Sequence, residues 1–141
     1  MAAYNKFQQF VEDLGSGVHQ LHAAGHTLKV YLSNAAPSAS ADAVKADLAE
    51  ITNQNGYTAP VDVQQDFTQT SGTATCTAVD VVVTASGGTV GPFQYVALYN
   101  DTPTSPADPL IAWWDYGSAL TLNDTETFTI DFGSNTLFTV A

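Results

Sequence analysis

Tyr4, Phe7, Phe10, Val11 and Leu14 recur at spacings of three and four before Gly15-Ser16-Gly17, a pattern that predicts an amphipathic N-terminal helix stopped by the glycines. A second short helix is expected at 41–51, where Ser40 or Asp42 supplies a cap and Val44, Leu48 and Ile51 share a face. Elsewhere the period is two. Leu28, Val30 and Leu32 alternate with Lys29 and Tyr31, which reads as a half-buried strand over 27–33. Further strands are expected at 61–69, 73–84, 93–99, 110–114, 125–132 and 136–140. The clearest alternation sets Phe128, Ile130 and Phe132 against Thr127, Thr129 and Asp131, one face for a core and one for water.

Breaks fall at Ser71-Gly72, Ser86-Gly87-Gly88, the proline-rich stretch 102–109 and Gly133-Ser134-Asn135, so the strands follow one another through short turns. Strands without alternating helices argue for an antiparallel sandwich and against a parallel α/β sheet. The expected fold is therefore mainly β: an antiparallel β-sandwich, Ig-like or jelly-roll-like, with an N-terminal α-helix. The chain reads as a single domain over 1–141, with the helix and a linker in 1–26 and the sandwich in 27–141. At 141 residues and 45% hydrophobic content it has the material for one core.

Charge changes the picture next. Only 12% of residues are charged, so the surface is built largely from Ser, Thr, Asn and Gln. There are 14 acidic residues against 3 lysines and no arginine, for a formal charge of −11. Nucleic-acid binding needs a basic footprint, and the composition excludes it. Lys6, Lys29 and Lys45 are balanced by Glu12, Asp13 and Asp42, so the whole excess lies beyond Lys45, where no basic residue occurs. Those carboxylates are solvated, protonated, cation-bound or paired with another chain, and a solvated face that keeps the protein soluble is the ordinary reading. Lys29 is the one lysine within the expected strands, which leaves the sheet edges to be covered by something else, such as a partner subunit.

Cys76 is the single cysteine and forms no intrachain disulfide or thiolate metal site. The beginning of the sequence lacks the pattern of a secretion signal, and no apolar run reaches the roughly 18 residues of a membrane span, so no membrane role is expected. His19, His22 and His26 would align on a continuous helix as metal ligands, but Gly17 and Gly25 interrupt such a helix and the H-E-x-x-H pattern is absent. Asn100-Asp101-Thr102 and Asn123-Asp124-Thr125-Glu126 offer hard oxygen ligands without EF-hand spacing, and side-chain turns account for them as well. Neither a nucleophile elbow nor a phosphate-binding glycine loop occurs, and carboxylate pairs for glycoside hydrolysis are not legible in sequence. The expectation is a protein without catalysis, metal or cofactor.

Trp113-Trp114-Asp115-Tyr116 is the densest aromatic patch. Adjacent tryptophans on a strand point to opposite faces, so one of them needs a second layer or a partner. Exposed Trp and Tyr are hot-spot residues at interfaces and stacking platforms for sugars.

The segments TLKVYLSNAAPSASADAVKADLAEITNQNGYTA, TASGGTVGPFQYVALYNDT and DPLIAWWDYGSALTLNDTETFTIDF together resemble a family of small virion proteins of tailed bacteriophages, over nearly the whole chain. The resemblance implies a non-enzymatic structural protein, a capsid decoration or cement protein on the outer surface of the head. Its implied partners are the major capsid protein and further copies of itself, commonly as a homotrimer. By residue type, Tyr4 and Phe7 are candidates for neighbour contacts, and Trp113, Trp114 and Tyr116 for a subunit interface. The alternatives are a tail or fibre component of such a particle and, more distantly, a carbohydrate-binding module that stacks sugars on Trp113 or Trp114.

Overall fold

A computed structural model describes residues 2–58 and 60–141. Among them the chain forms β1 (Asn5–Lys6), α1 (Gln8–Gly15), β2 (Leu28–Ser33), β3 (Val61–Asp62), β4 (Asp66–Thr70), β5 (Thr73–Thr77), β6 (Val81–Thr84), β7 (Val90–Asn100), β8 (Leu110–Leu122), β9 (Thr127–Ile130) and β10 (Thr136–Val140). Every strand pairing is antiparallel. One layer is a five-stranded sheet in the order β1-β8-β7-β2-β3, and the other consists of the sheets β10-β5-β4 and β6-β9. The protein is a mainly β antiparallel sandwich with one short N-terminal helix.

The main core is the filling between the layers. Leu28, Val30 and Leu32 of β2, Val90, Phe93, Val96 and Leu98 of β7, and Ile111, Ala112 and Leu122 of β8 meet Cys76, Val81, Val83, Ile130 and Leu137 from the facing strands. Burial of this contiguous apolar surface, at about 25 cal/mol per Å², is the main force that holds the layers together.

A second, smaller cluster lies apart from it. Tyr31, Ala97, Tyr99, Leu110 and Phe7 pack with Leu48, and Trp113 closes against them. β2 is thus covered on both sides rather than half-buried: Tyr31, expected to face water, is 1% exposed. Its hydroxyl donates to Leu48 O (3.0 Å) and the Ser33 hydroxyl to Ala49 O (2.6 Å), which ties the segment after β2 onto the sheet. Lys45 sits over the Tyr31 ring at 4.9 Å and pairs with Glu50 at 2.7 Å, a cation held between an aromatic face and a carboxylate.

That covering segment is where a second helix was expected, and the structure corrects the expectation. Only Lys45–Asp47 makes a single 3-10 turn. The backbone groups a helix would use internally go instead to the strand beside them: Lys45 N donates to Asp108 O, and Leu110 N donates to Ala43 O. Asp47 accepts from Ala43 N and Val44 N, and these two hydrogen bonds hold its carboxyl below the ordinary range.

The N-terminal helix exists but starts later than its apolar spacing suggests. Asn5 and Lys6 pair with Trp113 and Ala112 of β8, and Phe7 N donates to Ile111 O, so tertiary pairing takes Tyr4 and Phe7 out of the helix. Phe10 is buried on α1, whereas Val11, expected on the same stripe, is 55% exposed. Residues 5–7 are therefore tied to the sandwich ahead of the helix, and α1 and the loop after it occupy the rest of the expected helix-and-linker segment. Lys6 lies on this edge strand, and both outer strands of the large sheet are only two residues long, a common guard against edge pairing.

Three long strand expectations also change. The run 61–69 breaks at Gln64, which adopts φ +49°, and at Gln65, whose side chain turns inward to Leu28 N and His26 O. The run 73–84 splits where the chain crosses between the two smaller sheets, with Ala78 N bonded to Asn135 O and Val79 N to Val63 O. In the other direction, β8 continues far past the expected 110–114.

Candidate functional site

Trp113 and Trp114 take opposite faces of β8, as their adjacency requires. A bulge sets this up: Tyr99 pairs with Leu110 while Leu98 pairs with Ala112, so Ile111 is an extra residue on β8. Leu110 and Trp113 consequently serve the second cluster, and Ile111 and Ala112 both serve the main core. The Trp113 ring lies 4.6 Å from that of Phe7. Phe7 is fully buried there and offers no surface to a neighbour. On the other face, Trp114 is flanked edge-on by Tyr4 at 5.8 Å and Phe132 at 5.7 Å.

β8 then leaves its ladder. Tyr95 pairs with Asp115 and Phe93 with Leu120, so β8 advances five residues while β7 advances two, and the chain between is thrown outward. Asp115 fixes this excursion: its Oδ1 accepts from Gly117 N at 2.7 Å and from the Gln94 amide at 3.0 Å. Gly117 sits at φ +98°, which favours glycine. The excursion presents Tyr116, which is 55% exposed and meets Phe128 edge-on at 5.7 Å.

Between this part of β8 and β9 lies a cleft of about 330 Å³, lined by Ala2, Trp114, Tyr116, Val96 and residues 128–132. Phe128, Ile130 and Phe132 supply its apolar wall, and Asp131 is the carboxylate in the lining. Of the aromatic residues singled out in the sequence, the structure brings Trp114 and Tyr116 together here, places Tyr4 behind Trp114, and puts Phe7 and Trp113 on the opposite face of the sheet. Phe128 and Phe132 were legible only as core positions of an alternating strand. Their place in the cleft depends on how β9 is set against β8, for which the local pattern carries no signal.

The histidines do not share a helix. His22 is exposed, while His19 and His26 converge from a loop on the buried Asn100. Asn100 Nδ2 lies 3.0 Å from His19 Nδ1 and 2.9 Å from His26 Nδ1, and Gln20 N donates to the same His26 nitrogen. Asn100 Oδ1 is taken by Thr102 N, so the amide nitrogen with its two hydrogens faces the imidazoles. The Asn100 amide offers its hydrogens to both Nδ1 atoms, and the buried His19 Nε2 has no hydrogen-bond partner among the described residues. Among the described residues no three His, Cys, Asp or Glu side chains are arranged to hold a metal ion.

The acidic loops are closed by their own hydrogen bonds. Glu126 accepts from Asn123 N at 2.7 Å, and Asp101 is engaged by Lys29 at 2.7 Å and by the Tyr99 hydroxyl. Cys76 is fully buried, and burial pushes its thiol up to about 12. Comparison with known proteins finds no matching family model, no matching curated protein and no matching solved structure.

Proposed function

We propose that this protein is a non-enzymatic structural component of a tailed-phage virion, a capsid decoration or cement protein that binds the major capsid protein on the outer face of the head and works as a homotrimer. The observation that carries this reading is the aromatic cleft, where Trp114 and Tyr116 stand beside a strand edge on an otherwise sparsely charged Thr-rich surface. Aromatic side chains held by a rigid sheet are the usual anchors of a protein interface. The doubly covered five-stranded sheet supports the same role, because a part that reinforces a shell needs stiffness. The acidic excess suits docking onto basic surface of a shell protein.

Quantitative mass spectrometry of density-purified particles tests the proposal. A copy number approaching that of the major capsid protein, or a fixed fraction of it, supports decoration of the head. A few copies per particle would move the protein to the tail, and absence from particles would overturn the virion reading.

A further inference from the structure

We propose that the cleft between β8 and β9 receives an extended, positively charged segment of a different protein, which adds a strand to the open edge of β9 and places an apolar side chain between Trp114, Tyr116 and Phe128. The proposal rests on reading the cleft as an assembly surface and names the chemistry of what enters it.

Three observations converge on this occupant. First, the cleft runs along a strand edge. Phe128, Thr129, Ile130, Asp131 and Phe132 all line it, and consecutive residues of both parities border one space only when the space follows the backbone and not one face of the strand. Among the described residues β9 is paired with β6 alone, so its other edge carries backbone donors and acceptors that a partner strand satisfies. Second, the edge carries no lysine or proline at Thr127, Phe128, Thr129 or Ile130 to block an incoming strand.

Third, charge selects the partner. Apart from Ala2, the lining comes from the part of the chain beyond Lys45, which contains eleven carboxylates and no basic residue. Asp131 is the carboxylate that lines the cleft, and no cationic side chain among the described residues lines it. Two of the three lysines are engaged within the chain, Lys29 with Asp101 and Lys45 with Glu50. A second copy offers few cations to set against Asp131, with two of its three lysines engaged, so the cleft suits the shell partner and the copies of the proposed trimer meet at another face. A segment that alternates apolar residues with Lys or Arg meets all three requirements, its apolar side chains in the cleft and a cation toward Asp131.

The test uses the 141-residue chain and an array of random peptides of about ten residues, long enough for one added strand. Binders enriched in Lys or Arg alternating with apolar residues are expected. The strongest binder should shift the backbone amide resonances of Thr127–Asp131, and its affinity should fall about tenfold or more with Asp131→Lys, fall clearly with Asp131→Asn, which removes the charge but keeps an oxygen for the Gly133 N–H, and fall further with salt. No binders, binders without basic enrichment, or shifts away from β9 would overturn the proposal. So would a concentration-dependent self-association that Asp131→Lys strengthens and Tyr116→Ala abolishes, since the occupant would then be a second copy. Saturation of the same amides by glycans in place of peptides would also overturn it. Particle mass spectrometry reads the virion assignment independently, so a failed peptide experiment with a head-like copy number rejects this occupant alone.

Discussion

His19 Nδ1 stands 3.0 Å from the amide nitrogen of Asn100, a contact that holds the loop after α1 to the end of β7 and that requires a neutral imidazole. Protonation would turn the accepting nitrogen into a donor that faces another donor. Burial lowers the His19 pKa to about 4, against an opposing pull from Asp13 and with a smaller contribution from His26.

The pH dependence has a definite sign. Between the ordinary value near 6.5 and about 4, the unfolded chain binds a proton at His19 that the folded chain does not, so stability falls as pH drops through this window. The full loss is about 3 kcal/mol. Urea unfolding at a series of pH values should show it, and His19→Leu should flatten the slope. A wild-type curve that is level over this range would show that His19 titrates normally.

Tyr57 is the hinge between the covering segment and the sheet. Its buried hydroxyl accepts from Leu32 N at 2.8 Å and donates to Glu50 at 3.1 Å. Tyr57→Phe strands the Leu32 N–H in the core and should cost about 1–3 kcal/mol in chemical denaturation, with no change in fold. A neutral result would mean that the N–H finds another acceptor.

The tryptophans should separate by face. Trp113→Ala removes the packing against Phe7, and Trp114→Ala removes the packing against Tyr4 and Phe132. Each side chain is half-buried, so each substitution should cost about 2–3 kcal/mol, below the range for a fully buried aromatic. Tyr116→Ala, at a 55% exposed position, should stay within about 0.5 kcal/mol. Thermal unfolding of the three variants checks the order, and a large loss for Tyr116→Ala would make that ring structural.

Cys76 reports on the core. Fully buried, with its thiol pushed up to about 12, it should resist alkylation by iodoacetamide in the native protein and react at an ordinary rate in urea. Rapid native labelling would show that the layers open at β5.

The class of fold and the chemistry of the surface are legible in the residue pattern alone. Alternation at Leu28, Val30 and Leu32 and at Phe128, Ile130 and Phe132 is a local property of the pleat, so it survives into the sandwich wherever a face is buried. The absence of arginine and the charge of −11 are likewise properties of composition that no folding alters. Where one element meets another is set by long-range packing that no local pattern encodes. The helical spacing of Val44, Leu48 and Ile51 lost to hydrogen bonds with the segment from Asp108 to Leu110, and Tyr31 was buried by a chain segment that its own strand pattern does not encode. The cleft is the same case: Trp114 and Tyr116 were visible as aromatic residues, but their meeting with Phe128 and Asp131 depends on a three-residue excursion of β8 and on the set of β9 across the sandwich. Periodicity reads which face of an element is apolar; only packing between layers decides which apolar faces are covered and which remain open.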